Sequence, residues 1–571
     1  MSTLEELRHS CAHLLAAAVM KLYPDAKRTI GPATEDGFYY DFEFSKPISE
    51  TDLEKIEKTM REILSSWKKF EKKEATAAEA KKEFKNNQYK LELIEEFSKE
   101  GKKLTLYKSG EYVDLCKGGH SENPSKELQN FKLLKIAGAY WRGNEKNKML
   151  TRVYGTAFAT KKELDDYLKM LEESKKRDHR ILGEQLGLYF FHEYSPGAPI
   201  FLPKGAIIYN ELIKLLREEY RRRGYEEVLT PLLYEKALWE TSGHWQHYKD
   251  NMFNMESEKK IYSLKPMNCP SHCLIYKHKL WSYKELPLRI ADFASLHRNE
   301  LSGTLAGLTR VRKFSQDDAH IFITEEQMQE EIEKVLDFEK FIYNDIFKFN
   351  YSMTLGTRPD NFMGEKKLWE KAEKILEEIL KKKKMPYKIE EKDGTFYGPK
   401  IDLRAKDALG REWQLATVQL DFQIPLRFEL TYEGNDGKKH TPIMIHRAIY
   451  GSLERFIALL VENYAGKFPV WLSPVQVVLM TIADRHNEYA KKLEEEMKKE
   501  GIRVEVDDRA ESIGKKVRDH QAMKINYLVT LGDREIESNN LAIRTRDNKV
   551  ININKEEFIK RIKEEIINRT N

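Results

Sequence analysis

Residues 161 to 186 read KKELDDYLKMLEESKKRDHRILGEQL, alternating acids with bases, carrying few large apolar side chains and neither proline nor glycine before Gly183. No hydrophobic core can run through such a stretch. It predicts a solvated connecting helix, so the chain on either side must build separate cores. The 571 residues demand the same, being too many for one core at about 100–200 residues per domain.

Ahead of this helix, Leu7, Cys11, Leu14, Leu15, Ala18 and Leu22 recur at three- and four-residue steps and predict a helix over 4–22. His9 and His13, four apart, share a neighbouring face of it. A charged helical stretch after Pro47 and strand-like runs around Cys116 and up to Phe158 complete an α+β unit over 1–160. Beyond the helix, 189–467 is strand-rich and punctuated by turns, with a lysine-rich helical insertion near Lys366 to Lys384 whose KKKK run reads as a solvated face. From 468 onward PVQVVLMTI, GIRVEVDD, NYLVTLG and NLAIRTR read as strands between helices, predicting a small α/β domain with a largely parallel sheet.

Composition excludes more than it assigns. With 40% hydrophobic and 33% charged residues the chain is neither collagen-like nor broadly disordered, and a net charge of +5 neither requires nor forbids a nucleic-acid partner. Four cysteines cannot frame a disulfide scaffold at this length, which points to a reducing, cytoplasmic setting. The apolar LLAAAVM follows Glu5, Glu6, His9 and His13 instead of a basic start, so it is not read as a secretion signal. No apolar run approaches the ~18 residues of a membrane span.

Three segments carry the chemistry. REEYRRRGYEEVLTPLL at 217–233 reads as a helix ended by Gly224 and a strand stopped by Pro231. ADFASLHRNELSGTLAGLTRVRKFSQDDAHIF predicts a hairpin, with His297, Arg298 and Glu300 on one strand, a turn over 302–307, and Arg310, Arg312 and Phe314 on the return. Taken alone it is a salt-bridged hairpin with a core Phe. MIHRAIYGSLERFIALL shifts the balance, because Gly451 and Ser452 open a helix with Glu454 and Arg455 in its first turn. Glycine permits close backbone approach, a helix N-terminus favours anions, and Arg455 adds a planar cation for phosphate.

Together these segments resemble motifs 1, 2 and 3 of class II aminoacyl-tRNA synthetases. With KPMNCPSH, HRNE, SQDDAHIF, YGPKID, TVQLDF and IHRA added, the ordered set resembles the threonyl-tRNA synthetases from residue 5 to the C-terminus. The resemblance implies an antiparallel-sheet class II catalytic domain over 189–467. It also implies an N-terminal α+β editing domain over 1–160, a charged linker helix over 161–188 and a C-terminal α/β anticodon-binding domain over 468–571. The family pairs two catalytic domains, implying a homodimer with tRNA(Thr), ATP and L-threonine as partners and no membrane. It commonly carries a small ubiquitin-like domain ahead of the editing domain. Only eight residues precede His9, so this sequence is expected to lack that domain.

The same resemblance implies residue roles. Arg298 contacts the threonine carboxylate and the α-phosphate, Glu300 reads the adenine amino group, and Phe314 stacks on the ring. Arg310 and Arg455 hold the γ-phosphate, Mg²⁺ arrives with ATP, Gln414 and Thr417 complete the nucleotide site, and Arg298 and Arg455 are the catalytic pair. Cys269, His320 and His446 bind one zinc ion per subunit; one thiolate and two imidazoles leave coordination open for the amino and hydroxyl groups of threonine. Met267, Gln316, Asp318, Tyr397 and Gln419 form the amino-acid pocket. Valine cannot ligate through a methyl group and is rejected, whereas serine differs by one methyl, worth only ~1–3 kcal/mol, and requires editing.

His9, His13, Cys116 and His120, read as a bare constellation, fit a closed zinc site or a polar cluster. The resemblance favours an editing site acting without a required metal, joined by Tyr40, Lys90 and Asp114. Cys11 and Cys273 are left as packing residues. Glu535 and Arg544 match anticodon-reading positions, while Ala510 stands where an amide is frequent and Ser271 where glycine is usual. A catalytically inactive tRNA-binding or regulatory relative is the alternative; it predicts damage among the ATP and zinc residues, and all of them are present.

Overall fold

The computed structural model describes residues 2–144, 146–408 and 410–570. The chain divides into two compact units, Met1–Glu172 and Glu173–Asn571.

In the first unit the helix Leu4–Leu22 keeps the predicted bounds. A reciprocal cap starts it: Thr3 Oγ1 accepts from the Glu6 amide, and the Glu6 carboxylate accepts from the Thr3 amide. Its apolar face and the helix Leu53–Leu64 pack on an antiparallel sheet led by Gly37–Glu43, Met149–Ala157 and Phe131–Tyr140. A second antiparallel sheet, Glu71–Ala75, Leu104–Ser109 and Tyr112–Leu115, carries its own small core with Ala80, Phe84 and Ile94. This is the α+β unit the sequence predicts. Cys11 is fully buried in the main core, as expected of a packing residue.

The stretch expected as one helix over 161–188 is two helices, Lys161–Arg177 and His179–Gln185. Asp178 leaves helical geometry at φ −51° and ψ 119° and caps the second helix by accepting from the Arg180 amide. His179 is thereby buried instead of solvated.

The second unit is built on an eight-stranded sheet in the order 226–227, 288–292, 318–323, 443–448, 412–421, 400–406, 351–356 and 388–390. Its central pairings are antiparallel and only the two outermost are parallel. Register makes the site: His320 lies opposite His446, His446 opposite Gln419, and Gln419 opposite Lys400, a row crossing four strands on one face. The helix Leu453–Tyr464 follows the strand Ile443–Ala448 directly.

Three details depart from expectation. The strand before Pro231 is only Glu226–Glu227. The hairpin ladder is confined to Ser295–His297 and Lys313–Ser315, so Arg298, Glu300, Arg310 and Arg312 lie on irregular backbone beyond it. The C-terminal sheet is evenly mixed: 477–481 pairs in parallel with 504–507 and 527–531, whereas 527–531, 540–545 and 550–554 run antiparallel. A tight turn after Thr545 permits only an antiparallel return, and it delivers Val550–Asn554 as an additional strand. The Arg503 guanidinium reaches Glu211 at 3.0 Å, and Arg546 donates to the Lys467 and Phe468 carbonyls at 2.8 and 2.6 Å, tying this sheet into the second unit.

Candidate active sites

In the second unit, the seven residues expected to bind ATP, namely Arg298, Glu300, Arg310, Phe314, Gln414, Thr417 and Arg455, line one cavity with Gln316 and Gln419. Gly451 shapes its wall: φ is +74°, and a Cβ there would lie 2.4 Å from the Leu415 carbonyl oxygen. Ser452 caps the following helix by accepting from the Arg455 amide. The Arg455 guanidinium donates to the Thr309 and Gln414 carbonyls at 2.9 and 2.8 Å. Burial, then the neighbouring cations Arg298 and Arg310, pull it down to about 10. Three guanidiniums converge with only Glu300 to offset them, paired to Arg310 at 3.2 Å. Such a cavity suits a polyanion. The Arg298 guanidinium lies 5.0 Å from the Phe314 ring centroid.

Beside this cavity, one ligand atom each of Cys269, His320 and His446 falls within 4.8 Å of the others, all three residues buried. His320 Nε2 faces His446 Nδ1 at 2.9 Å, and each ring is held from behind, His446 Nε2 by Asp421 at 2.9 Å and His320 Nδ1 by His272 Nδ1 at 2.7 Å. Burial keeps His320 neutral, the ligating form. Burial, reinforced by Asp318, Cys273 and Asp421, pushes the Cys269 thiol well above its ordinary range, a disposition a bound cation reverses. The donor set and its supporting hydrogen bonds fit a zinc ion. Cys273 lies one turn on, fully buried and outside the donor group. Ser271 sits within the helix Cys269–Lys277, so this position has ordinary helical backbone.

The remaining pocket residues surround that group. Asp318 accepts from Asn268 at 3.0 Å, the Tyr397 ring stacks on His446 at 4.6 Å and its hydroxyl donates to Gln419 at 2.5 Å, and Met267 Sδ lies 3.0 Å from His244 Nε2. Sequence reasoning missed His244, His272, Asp402 and Asp421. Asp402 accepts from Gln414 at 2.7 Å and Thr417 at 2.6 Å, fixing two nucleotide-site side chains. It also missed His179, whose Nδ1 bonds Glu462 at 2.6 Å and whose Nε2 accepts from the Leu308 amide at 3.1 Å, anchoring the loop that carries Thr309 and Arg310.

In the first unit, His9, His13, Tyr40, Lys90, Asp114 and Cys116 line a cavity of about 590 Å³. His120 joins through the donor group His9, His13, Cys116 and His120. The turn between Cys116 and His120 uses Gly118 at φ +108°, where a Cβ would meet the Tyr107 hydroxyl at 2.5 Å. Asp114 is the hub: it takes the Lys90 ammonium at 2.7 Å, the Tyr40 and Tyr112 hydroxyls at 2.6 and 2.9 Å, and faces His13 Nδ1 at 3.4 Å. Burial works against charge throughout; partners win at Asp114, His13 and Cys116, whereas burial wins at Lys90 and His120. Lys90, His13 and Arg28 hold the Asp114 carboxyl well below its usual range, and Asp114 and Cys116 raise His13 to about 9. The imidazoles of His120, His13 and His9 bring the Cys116 thiol down to about 3. His120 is lowered by burial. Arg28 and Tyr112 were missed; Tyr112 lies two residues before Asp114 on one strand, a signal the sequence does carry.

Toward the C-terminus, Glu535 in the helix Asp533–Ser538 accepts from the Gly532 amide at 3.0 Å, and Arg544 in the strand Asn540–Thr545 donates to Asn548 at 2.6 Å. Both are half-buried, and among the described residues no hydrogen bond joins them.

The fold and these sites define a class II aminoacyl-tRNA synthetase. Residues 253–464 match the class II tRNA synthetase core domain (G, H, P, S and T), 476–565 the anticodon binding domain, and 104–154 the threonyl and alanyl tRNA synthetase second additional domain. The chain belongs to the threonine–tRNA ligase family. It is 50% identical to the threonine–tRNA ligase of Thermotoga petrophila over 99% of its own length and 88% of that protein. It is 52% identical to that of Carboxydothermus hydrogenoformans over 94% and 85%. A solved structure of the RNA binding domain of threonyl-tRNA synthetase from Cryptosporidium parvum matches 67% of this chain and 97% of its own at 45% identity and a TM-score of 0.66. Among the described residues no helix is long and apolar enough to cross a membrane.

Proposed function

We propose that the chain activates L-threonine with ATP, transfers it to tRNA(Thr), and hydrolyses seryl-tRNA(Thr) formed in error. The observation that carries this reading is the row His320, His446 and Gln419, with Cys269 beside it, adjoining a cavity lined by Arg298, Arg310 and Arg455.

In activation the threonine carboxylate attacks the α-phosphorus and pyrophosphate leaves. Arg298 neutralises the two approaching anions, Arg455 and Arg310 take the charge building on the leaving phosphates, and Mg²⁺ accompanies ATP. Glu300 and Phe314 hold the adenine, and Gln414 and Thr417 are kept in orientation by Asp402. Cys269, His320 and His446 would hold Zn²⁺, which when bound supplies Lewis-acid contacts that a hydroxyl and amino group satisfy and a methyl group does not. Asp318, Gln316, Tyr397, Met267 and Gln419 position the amino acid.

For editing, water adds to the ester carbonyl of seryl-tRNA and the ribose oxygen leaves. His120, made less basic by burial, is free to accept the water proton, and His13, protonated up to about pH 9, donates to the leaving oxygen. Lys90, Tyr40 and Asp114 fix His13 in place, and Cys116 and His9 hold the water. Glu535 and Arg544 read the anticodon, and the active species is a cytoplasmic homodimer.

Threonylation of a tRNA(Thr) transcript and release of serine from pre-formed seryl-tRNA(Thr) test both halves. The H9A/H13A double variant should retain threonylation and accumulate seryl-tRNA. Undiminished serine release in that variant would sink the editing assignment.

A further inference from the structure

Two buried carboxylates stitch the segment 313–318 to the segment 446–455, each accepting from the backbone of the other. We propose that Asp317 and Glu454 are positioning residues for adenylation, a reciprocal clamp that sets the threonine pocket and Arg455 in register. Asp317 stands between Gln316, which lines the phosphate cavity, and Asp318, which accepts from Asn268. Its own side chain is fully buried on the other side of the chain. Oδ2 accepts from the Ile449 amide at 2.7 Å and Oδ1 from the Tyr450 amide at 2.8 Å. Arg447 Nη1 donates to the Asp317 carbonyl at 2.6 Å and to Oδ2 at 3.2 Å. Glu454 returns the contact. It is fully buried in the first turn of the helix Leu453–Tyr464, and its Oε2 accepts from the Ser315 amide at 2.9 Å.

The strand Ile443–Ala448 ends just before Ile449, so the amides of Ile449 and Tyr450, both residues fully buried, lie beyond the ladder and need partners. Asp317 supplies both, and the next residue is Gly451, whose positive φ turns the chain into the helix of Arg455. A carboxylate accepting two successive amides fixes that stretch of backbone with charge-assisted bonds. Burial raises both carboxyls, Asp317 to about 7, against the opposing pull of Arg447 and the two amides at Asp317, and of Lys313 and the Ser315 amide at Glu454. Neither carboxylate lines the phosphate cavity, so neither acts on substrate directly.

The clamp joins the two halves that in-line attack must align. One segment carries Phe314, Gln316 and Asp318, the other His446 and Arg455. A shift of about 1 Å between reacting groups costs about 100-fold in rate. The proposal rests on the reading of the cavity as the ATP site.

Threonine-dependent ATP–pyrophosphate exchange on full-length variants tests it. D317N keeps one acceptor oxygen and turns an amide donor on the other backbone N–H. Its kcat should fall about 10–100-fold while the KM for threonine stays within about twofold. E454A should slow about tenfold, and E454Q, which still offers an oxygen to the Ser315 amide, should recover most of that rate. As two halves of one clamp, D317N/E454A should be no more than about threefold slower than D317N. Hydrogen–deuterium exchange reads the clamp without activity: E454A should lose protection at 447–452 as well as at 313–317. Full additivity, E454Q as slow as E454A, or lost protection confined to 313–317 overturns the proposal. Should D317N not fold, the two Glu454 variants and the deuterium pattern decide it. If the wild type shows no threonine-dependent pyrophosphate exchange, the reading of the cavity fails, while the deuterium pattern still decides the clamp.

Discussion

Replacing Asp114 by Asn should move the pH dependence of editing while leaving the shape of the site intact. Asp114 is 1% exposed and is the anion facing the Lys90 ammonium, the Arg28 guanidinium and His13. His13 stands at about 9 against an ordinary 6.5, equivalent to about 3 kcal/mol favouring its protonated form. Burial pushes the other way, so loss of Asp114 should bring His13 down, with Cys116 left to oppose burial. Single-turnover release of serine from seryl-tRNA across pH 6–10 reads this directly. The wild-type rate should fall as pH rises through about 9, and that limb should move to lower pH in D114N. Stability follows the same sign. A raised imidazole pKa contributes stability fully present below about 6.5 and lost as pH rises through about 9, so D114N should flatten the alkaline loss of thermal stability in the first unit. Leaving buried cations without their partner should also cost about 3–5 kcal/mol. A folded D114N protein whose rate still falls near pH 9 would refute the assignment of that limb to His13.

Three further outcomes follow from the synthetic site. G451A must place a Cβ against the Leu415 carbonyl at positive φ, and threonine-dependent pyrophosphate exchange should drop about 100-fold. H179A frees the Leu308 amide and leaves Glu462 buried without its imidazole; the KM for ATP should rise about tenfold with the KM for threonine unchanged, measured in the same exchange assay. D421N removes the carboxylate behind His446 and should weaken zinc retention about 10–100-fold in competition with a chelator.

How far the sequence could be read depended on the distance over which each residue acts. The helix 4–22 and its pair His9 and His13 were legible because apolar residues at three- and four-residue steps and a four-residue histidine spacing are local features. Cys116 and His120 were similarly legible across their glycine turn. The Cys269, His320 and His446 group is different: His320 and His446, 126 positions apart, meet only through strand register, and the resemblance alone linked them. Asp421, His272 and His244 had no such guide, since their function is to hold another side chain from behind. Alternation overreached at 297–314, where arginines at strand-like spacing lie on irregular backbone that the pocket requires. The break at Asp178 was hidden because an acidic residue suits a solvated helix as well as it suits a cap. His179 is buried by that break, and its charge pattern in sequence gave no sign of it.

The central claim, a metal-assisted threonine pocket beside a phosphate cavity, is tested most directly by ATP–pyrophosphate exchange with threonine, serine and valine on zinc-loaded and zinc-stripped full-length protein. Exchange should be strong with threonine, about 10–200-fold weaker with serine, at background with valine, and lost with all three once zinc is removed. Valine exchange equal to that of serine, or threonine exchange surviving verified metal removal, would contradict it.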